Sequence, residues 1–238
     1  MTPPRSAREV AAIDDALLDV GIADAIRKNC PTIDARLIRA TSFLWKIKGQ
    51  ANDLGYRIKL LGVAQMTGRG LEQRMSPCLV PKNSPLGQLK GGTNMVVIEG
   101  DAVEQIVLRG PGAGEGPTAS AVMGDICDIA RGIRLSTFGV PAGSLTTART
   151  AQSNSPAPYY LHLTLQDRPG ALAKIATALG EHGISIDRMR QTMHDTTDAP
   201  VLIVTHKTQR ADLDAAIQAM RASGVMAADP VALRIEMV

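Results

Sequence analysis

The sequence predicts an α+β protein: a mixed sheet with helices, followed by a smaller ferredoxin-like βαββαβ unit. Three observations predict it. Tyr159 to Gln166 alternate strictly, helical spacing begins directly after the turn Asp167-Arg168-Pro169-Gly170, and several strand-like runs lie upstream from Tyr56. Tyr159, Leu161, Leu163 and Leu165 would share one strand face, with Tyr160, His162, Thr164 and Gln166 on the other. A period of two marks a half-buried strand.

After Gly170, the residues Leu172, Ile175, Ala176 and Leu179 form one helical stripe, which Gly180 and Gly183 bring to an end. Strands follow at Ile184 to Gln191 and Ala199 to His206. A second helix carries Leu213, Ala216, Ile217 and Met220, and a closing strand sets Val231, Leu233, Ile235 and Met237 on one face. This order is the split βαβ arrangement. With both helices on one sheet face, the other face or an edge is expected to be free for a second copy of the chain.

Upstream, Val10, Ile13, Leu17 and Val20 follow helical spacing in a stretch closed by Pro31, and Ile33, Leu37, Leu44 and Ile47 predict another helix. Strands are expected at Tyr56 to Gln65 and Leu71 to Val80. Asn94 to Glu99 and Ala102 to Arg109 predict a hairpin joined by Gly100-Asp101. Thr118 to Arg131 should be a helix, opened by Pro117 and Thr118 and closed by Gly132. Cys127 lies inside its apolar run and reads as core filler. Ser136 to Pro158 is rich in Ser, Thr, Ala, Gly and Pro and reads as a linker. The expected domains are therefore residues 1–135 and 159–238, joined by the linker 136–158.

A length of 238 residues, 45% hydrophobic and 21% charged, is that of an ordinary globular protein. A net charge of +3 with 3% aromatic residues argues against a nucleic-acid partner. Cys30, Cys78 and Cys127 have no metal-like spacing, so no metal site is expected, and they read as reduced thiols of a cytoplasmic protein. The N-terminus shows no apolar signal region, and no apolar run approaches a membrane span.

Two loops could carry chemistry. At Asp167-Arg168-Pro169-Gly170 a strand ends at a helix N-terminus, whose N–H groups and dipole favour a carboxylate. A tight turn with no ligand is the competing reading. Gly110-Pro111-Gly112-Ala113-Gly114-Glu115-Gly116-Pro117-Thr118 exposes backbone N–H groups just before the next helix. It is neither a Walker A loop nor a Gly-x-Gly-x-x-Gly fingerprint. Taken alone, a structural loop is as good a reading as a ligand site.

The run Leu163 to Leu172, followed by Leu179-Gly180-Glu181-His182-Gly183-Ile184-Ser185-Ile186, resembles an ACT domain. Such domains bind small effectors, usually amino acids. Leu54 to Gly62, Leu79 to Leu86, Asn94 to Val103, Gly110 to Asp125 and Phe138 to Ala142 resemble, in the same order, stretches of homoserine dehydrogenase. The resemblance implies NAD(P) as cofactor, with Gly114 as a backbone contact to the nicotinamide and Gly112 and Thr118 beside it. It places Tyr56 to Arg109 in the sheet of the substrate domain and dimer interface, so a homodimer or homo-oligomer is expected. It also implies an acidic residue and a lysine four positions apart on a helix. Asp14 matches the acid, but Leu18 stands at the lysine position. A solvated carboxylate is the alternative reading of Asp14. Leucine cannot move a proton, a step worth about 10²- to 10⁴-fold.

The first 52 residues hold no strand–glycine-rich turn–helix sequence for a dinucleotide. The expectation is a truncated homoserine dehydrogenase homologue of threonine and methionine biosynthesis that binds no NAD(P) alone and is not catalytic alone. Its ACT module would sense an amino acid, threonine first, through Asp167, Pro169, Gly170, Ile184 and Ser185. One alternative is a split enzyme completed by a separate nucleotide-binding chain. Another is a remnant without chemistry, whose exposed apolar surface makes it dependent on partners.

Overall fold

The computed structural model describes residues 8–13, 47–136, 138–152, 154–191 and 198–237. Its strands are β1 (Arg8–Ile13), β2 (Tyr56–Thr67), β3 (Gly70–Pro81), β4 (Thr93–Gly100), β5 (Glu104–Pro111), β6 (Thr150–Ala151), β7 (Tyr159–Gln166), β8 (Ile186–Gln191), β9 (Asp198–Thr205) and β10 (Val231–Ile235). The helices that matter are α1 (Glu115–Ala130), α2 (Ala171–Glu181) and α3 (Arg210–Ala222), and residues 47–53 are also helical. The described residues form two compact units. One takes in β1, Leu61–Met75 and Leu89–Gln152, and the other residues 47–60, Ser76–Gln88 and the segment beyond residue 153.

In the first unit β1 pairs antiparallel with β4, from Arg8 opposite Glu99 to Ala12 opposite Met95. This corrects the helix expected from Val10. A strand partner distant in sequence overrides local spacing in so short an apolar run. Asp14 and Leu18 lie outside the described residues. β4 and β5 form the hairpin, but Gly100 pairs with Glu104, so three residues connect the strands rather than Gly100-Asp101. Glu104 takes a φ of 55° to close that loop, the left-handed position that follows a three-residue connection.

α1 begins at Glu115, earlier than the expected Thr118, because Gly114 caps it at φ 122° and Thr118 N–H donates to the Gly114 carbonyl at 3.1 Å. Its end follows expectation. Gly132 N–H donates to the Ile129 carbonyl and Ile133 N–H to the Asp128 carbonyl, with Gly132 at φ 77°. This is a Schellman termination. α1 carries no buried residue, and Cys127 is exposed, which corrects its reading as core filler.

The second unit contains the expected βαββαβ order. Its ladder runs β10-β7-β9-β8 and is antiparallel throughout. Tyr159, Leu161, Leu163, Leu165, Val201 and Ile203 form one buried face, packed by Ile175, Leu179, Leu213, Ala216 and Met220 of the two helices. α2 stops in a second Schellman motif: Gly183 N–H donates to the Gly180 carbonyl and Ile184 N–H to the Leu179 carbonyl. Ile184 and Leu179 then share the core.

The opposite face is not bare. Tyr160, Leu202, Val204, Leu233 and Ile235 are buried with Ile47, Ala51, Tyr56, Ile58 and Leu79. The β10 edge is also taken, since Arg234 and Ile235 pair in parallel with Cys78 and Leu79 of β3. The expected free face and this edge are therefore closed by the chain's own residues 47–58 and 76–79. A strand edge with an apolar face is closed most readily by a segment already tethered nearby.

Candidate functional site

The turn after β7 has the geometry of a small-ligand cradle. Arg168 N–H donates to the Gln166 carbonyl at 2.9 Å and Ala171 N–H to the Arg168 carbonyl at 3.2 Å, which coils the chain tightly into α2. Gly170 stands at the helix N-cap with φ 82° and ψ −6°, a left-handed conformation that L side chains avoid. A Cβ built there would meet nothing within 4 Å, so the space beside Gly170 is open. No side chain caps α2. Helix geometry leaves the N–H groups of Leu172 and Ala173 without an intrahelical acceptor.

Two basic side chains, not singled out from the sequence, pin this turn to the end of α3. Arg168 Nη2 donates to the Gly224 carbonyl at 2.9 Å and Lys174 Nζ to the Ser223 carbonyl at 3.3 Å. Cations at helix C-terminal carbonyls are favourable. Gln166 N–H also donates to the Val225 carbonyl at 2.9 Å. The one available signal was the Ser223-Gly224 pair, a helix-stop pattern with Gly224 at φ 67°.

The other expected effector residues divide into two kinds. Asp167, Pro169, Gly170 and Ser185 are exposed, whereas Ile184 is buried. The Ile184 side chain sits in the core and its N–H closes α2, so both are spent on structure. Ser185 is fixed through its carbonyl, which accepts from His206 N–H at 2.9 Å. Nearby on β7, burial lowers the pKa of His162, opposed by a backbone hydrogen bond. Tyr160 is buried without a hydrogen-bond partner for its hydroxyl among the described residues, and desolvation pushes its pKa up.

In the first unit the glycine-rich loop spans the end of β5 and the start of α1. At Gly112 an added Cβ would meet the exposed Asn94 carboxamide, which would have to swing aside. Gly114 is required by its φ of 122°. Gly110 and Gly116 have nothing within 4 Å of an added Cβ. Gly112, Gly114 and Thr118 are all exposed. A flat ring could approach this backbone-lined surface closely, and in that respect the loop fits the nicotinamide end of a dinucleotide. Its glycines do not follow the Gly-x-Gly-x-x-Gly spacing of a pyrophosphate-binding turn. α1 beyond the loop exposes Val122, Met123, Ile126 and Ile129, the last at 71%. Neither His/Cys/Asp/Glu metal clusters nor a helix long and apolar enough to cross a membrane occurs among the described residues.

Comparison with known proteins matches residues 15–127 to the homoserine dehydrogenase family and residues 159–224 to the ACT domain family. The homoserine dehydrogenase of Neisseria gonorrhoeae is 40% identical over 180 residues, covering 72% of this chain and 41% of that protein. That of Pseudomonas aeruginosa is 36% identical over 197 residues, covering 78% and 45%. The chain thus spans about two fifths of the length of the curated relatives it matches. Among solved structures, a homoserine dehydrogenase from Thiobacillus denitrificans superposes with a TM-score of 0.77 at 26% identity, over 99% of this chain and 65% of that one. The homoserine dehydrogenase of S. aureus shares the fold, with a TM-score of 0.58 at 16% identity, over 100% of this chain and 67% of that one.

Proposed function

The chain holds a homoserine dehydrogenase family domain over residues 15–127 and an ACT domain over residues 159–224, and on that premise we propose that it is the substrate-domain and amino-acid-sensing portion of such an enzyme. The observation that carries the sensing role is Gly170, left-handed at the mouth of α2 with open space beside it and no capping side chain. An effector carboxylate would lie against the N–H groups of Leu172 and Ala173, where the helix dipole favours negative charge. Asp167 would answer the effector ammonium, and Ser185 would offer a hydroxyl. Pro169 sets the turn, and Ile184 anchors Ser185 from the core.

Threonine, the end product of the pathway, is the proposed effector. Calorimetry with L-threonine should show saturable binding that Gly170→Val removes. A branched side chain at φ 82° must either rebuild the turn or fill the open space. Heat absent for all twenty amino acids would defeat the sensing role.

Homoserine dehydrogenases exchange a hydride between NAD(P) and their substrate, and the hydride chemistry belongs to that cofactor when bound. Gly112, Gly114 and Thr118 would stand against its nicotinamide end, offering backbone rather than bulk. Asp14 is retained as the proposed substrate-holding acid. Holding two reactants in register supplies much of such a rate enhancement, and that requires a nucleotide-binding fold beyond these 238 residues. The chain alone is therefore proposed to be inactive.

A second reading, completion by a separate nucleotide-binding chain, is favoured by the apolar exposure of α1 directly behind the glycine-rich loop. It predicts NAD(P)-dependent oxidation of homoserine only after the two chains are mixed. Self-association through the sheet of the first unit is part of both readings. β5 ends that sheet with Ile106, Val107 and Leu108 exposed. Sedimentation of a concentration-independent monomer would argue against it. Placement in the cytoplasm is proposed from Cys78 and Cys127, neither of which is in a disulfide.

A further inference from the structure

We propose that Arg188 and Arg190 on β8 couple the effector turn to residues 53–56, the start of the substrate-domain strand β2, so that an amino acid bound at the turn changes how firmly that start is held. The inference rests on the sensing role proposed above and deepens it.

Ile186 pairs with Thr205, but Arg188 pairs with Val204, which leaves Asp187 as an extra residue in β8. An added residue reverses the facing of everything beyond it. Without it, Arg188 would stand opposite Ile203 on the helix-covered face. With it, Arg188 and Arg190 stand opposite Val204 and Leu202 on the face buried against Tyr56 and residues 47–51. The bulge therefore re-aims two cations from one core to the rim of the other.

Both arginines then grip the same short segment. Arg188 Nη2 donates to the Tyr56 hydroxyl at 2.6 Å, and its guanidinium carbon lies 5.4 Å from the centre of the Tyr56 ring. Arg188 Nε is held by Asp187 at 3.1 Å, so the bulge residue also orients the guanidinium. Arg190 Nη1 reaches Asp53 Oδ2 at 3.4 Å. Asp53 ends the helical stretch 47–53, and Tyr56 opens β2 from within the second core. Between them Gly55, at φ 85°, accepts from Lys82 N–H at 2.9 Å.

The other end of this connection is Ser185, directly before β8 and proposed above as an effector contact. Only Ile186 separates it from the bulge. A shift at Ser185 therefore passes along one strand to the two arginines, and through them to Asp53 and Tyr56. The β8–β9 ladder and the two arginine contacts form the continuous path along which a displacement would travel.

The test is hydrogen exchange of residues 50–60 in the full chain, with and without saturating L-threonine, with calorimetry run in parallel. The wild type should show a change in exchange of at least about fivefold, the scale of a coupling free energy. The double variant Tyr56→Phe, Arg190→Ala keeps the Tyr56 ring and leaves the effector turn untouched. It should bind threonine within about threefold of wild type and lose most of that exchange response. Binding without any exchange change at 50–60, or a double variant that responds as wild type does, overturns the coupling. Absence of heat with every amino acid overturns the sensing role and the coupling with it, and the calorimetric trace separates that failure from the other two.

Discussion

At Gly170 the open surroundings mean that an added methyl meets no atom, so the cost of substitution lies in the backbone alone. Gly170→Ala should lower stability by about 1–2 kcal/mol, read as a shifted urea midpoint with unchanged m. A larger loss would mean that the turn is packed rather than open. Tyr160 makes the opposite case. Its buried hydroxyl lacks a partner among the described residues, so Tyr160→Phe should be neutral or raise stability by about 1 kcal/mol, since removal of an unsatisfied group lifts its desolvation penalty. His162 supplies the pH dependence. Burial lowers its pKa in the folded state, so the unfolded chain takes up the proton first as pH falls below about 6.5. Stability should decline from there until the folded pKa is reached, and His162→Gln should flatten that limb in unfolding titrations between pH 7.5 and 5. Of these features the Gly170 turn was legible in the sequence, because only glycine takes that backbone cheaply. Arg168 and Lys174 were not, since their acceptors at Gly224 and Ser223 lie 56 and 49 residues away.

Elements with their own period and their own stop were readable in the sequence. β7 alternates over eight residues, and α2 ends in Gly183-Ile184, so each state is fixed locally. β1 was not readable: Val10 and Ile13 have helical spacing, and only the distant partner Thr93–Gly100 makes the segment extended. The Asp187 bulge was hidden for a related reason, since one extra residue in a ladder leaves no mark on composition. α1 was recognised as a helix, but its surroundings were not, because an apolar stripe reads alike whether the element that covers it is present or absent. That exposure yields a prediction. Ile126→Gln with Ile129→Gln should change the stability of this chain by less than about 1 kcal/mol, because neither side chain is buried. The same pair should weaken association with a separate nucleotide-binding chain and leave self-association through β5 unchanged in sedimentation. A loss of several kcal/mol would show that α1 packs onto its own chain.

Across the whole chain, the sensing unit and the sheet that begins the substrate domain are not independent in sequence. Residues 47–60 and 76–88 belong to the same compact unit as the ACT domain. They occupy the sheet face and the β10 edge that an isolated ACT module would leave bare. The linker-like composition of Ser136 to Pro158 gave no hint of this, because those contacts come from residues far upstream. A ligand held at the proposed effector turn would sit on the same sheet as the start of β2. The measurement that tests the central claim most directly is a titration of isotope-labelled chain with L-threonine, followed by amide resonances. Shifts should centre on Asp167 to Lys174 and on Ile184 and Ser185, saturate together, and vanish in Gly170→Val. No shifts at all, or shifts centred on Gly110 to Thr118, would contradict it.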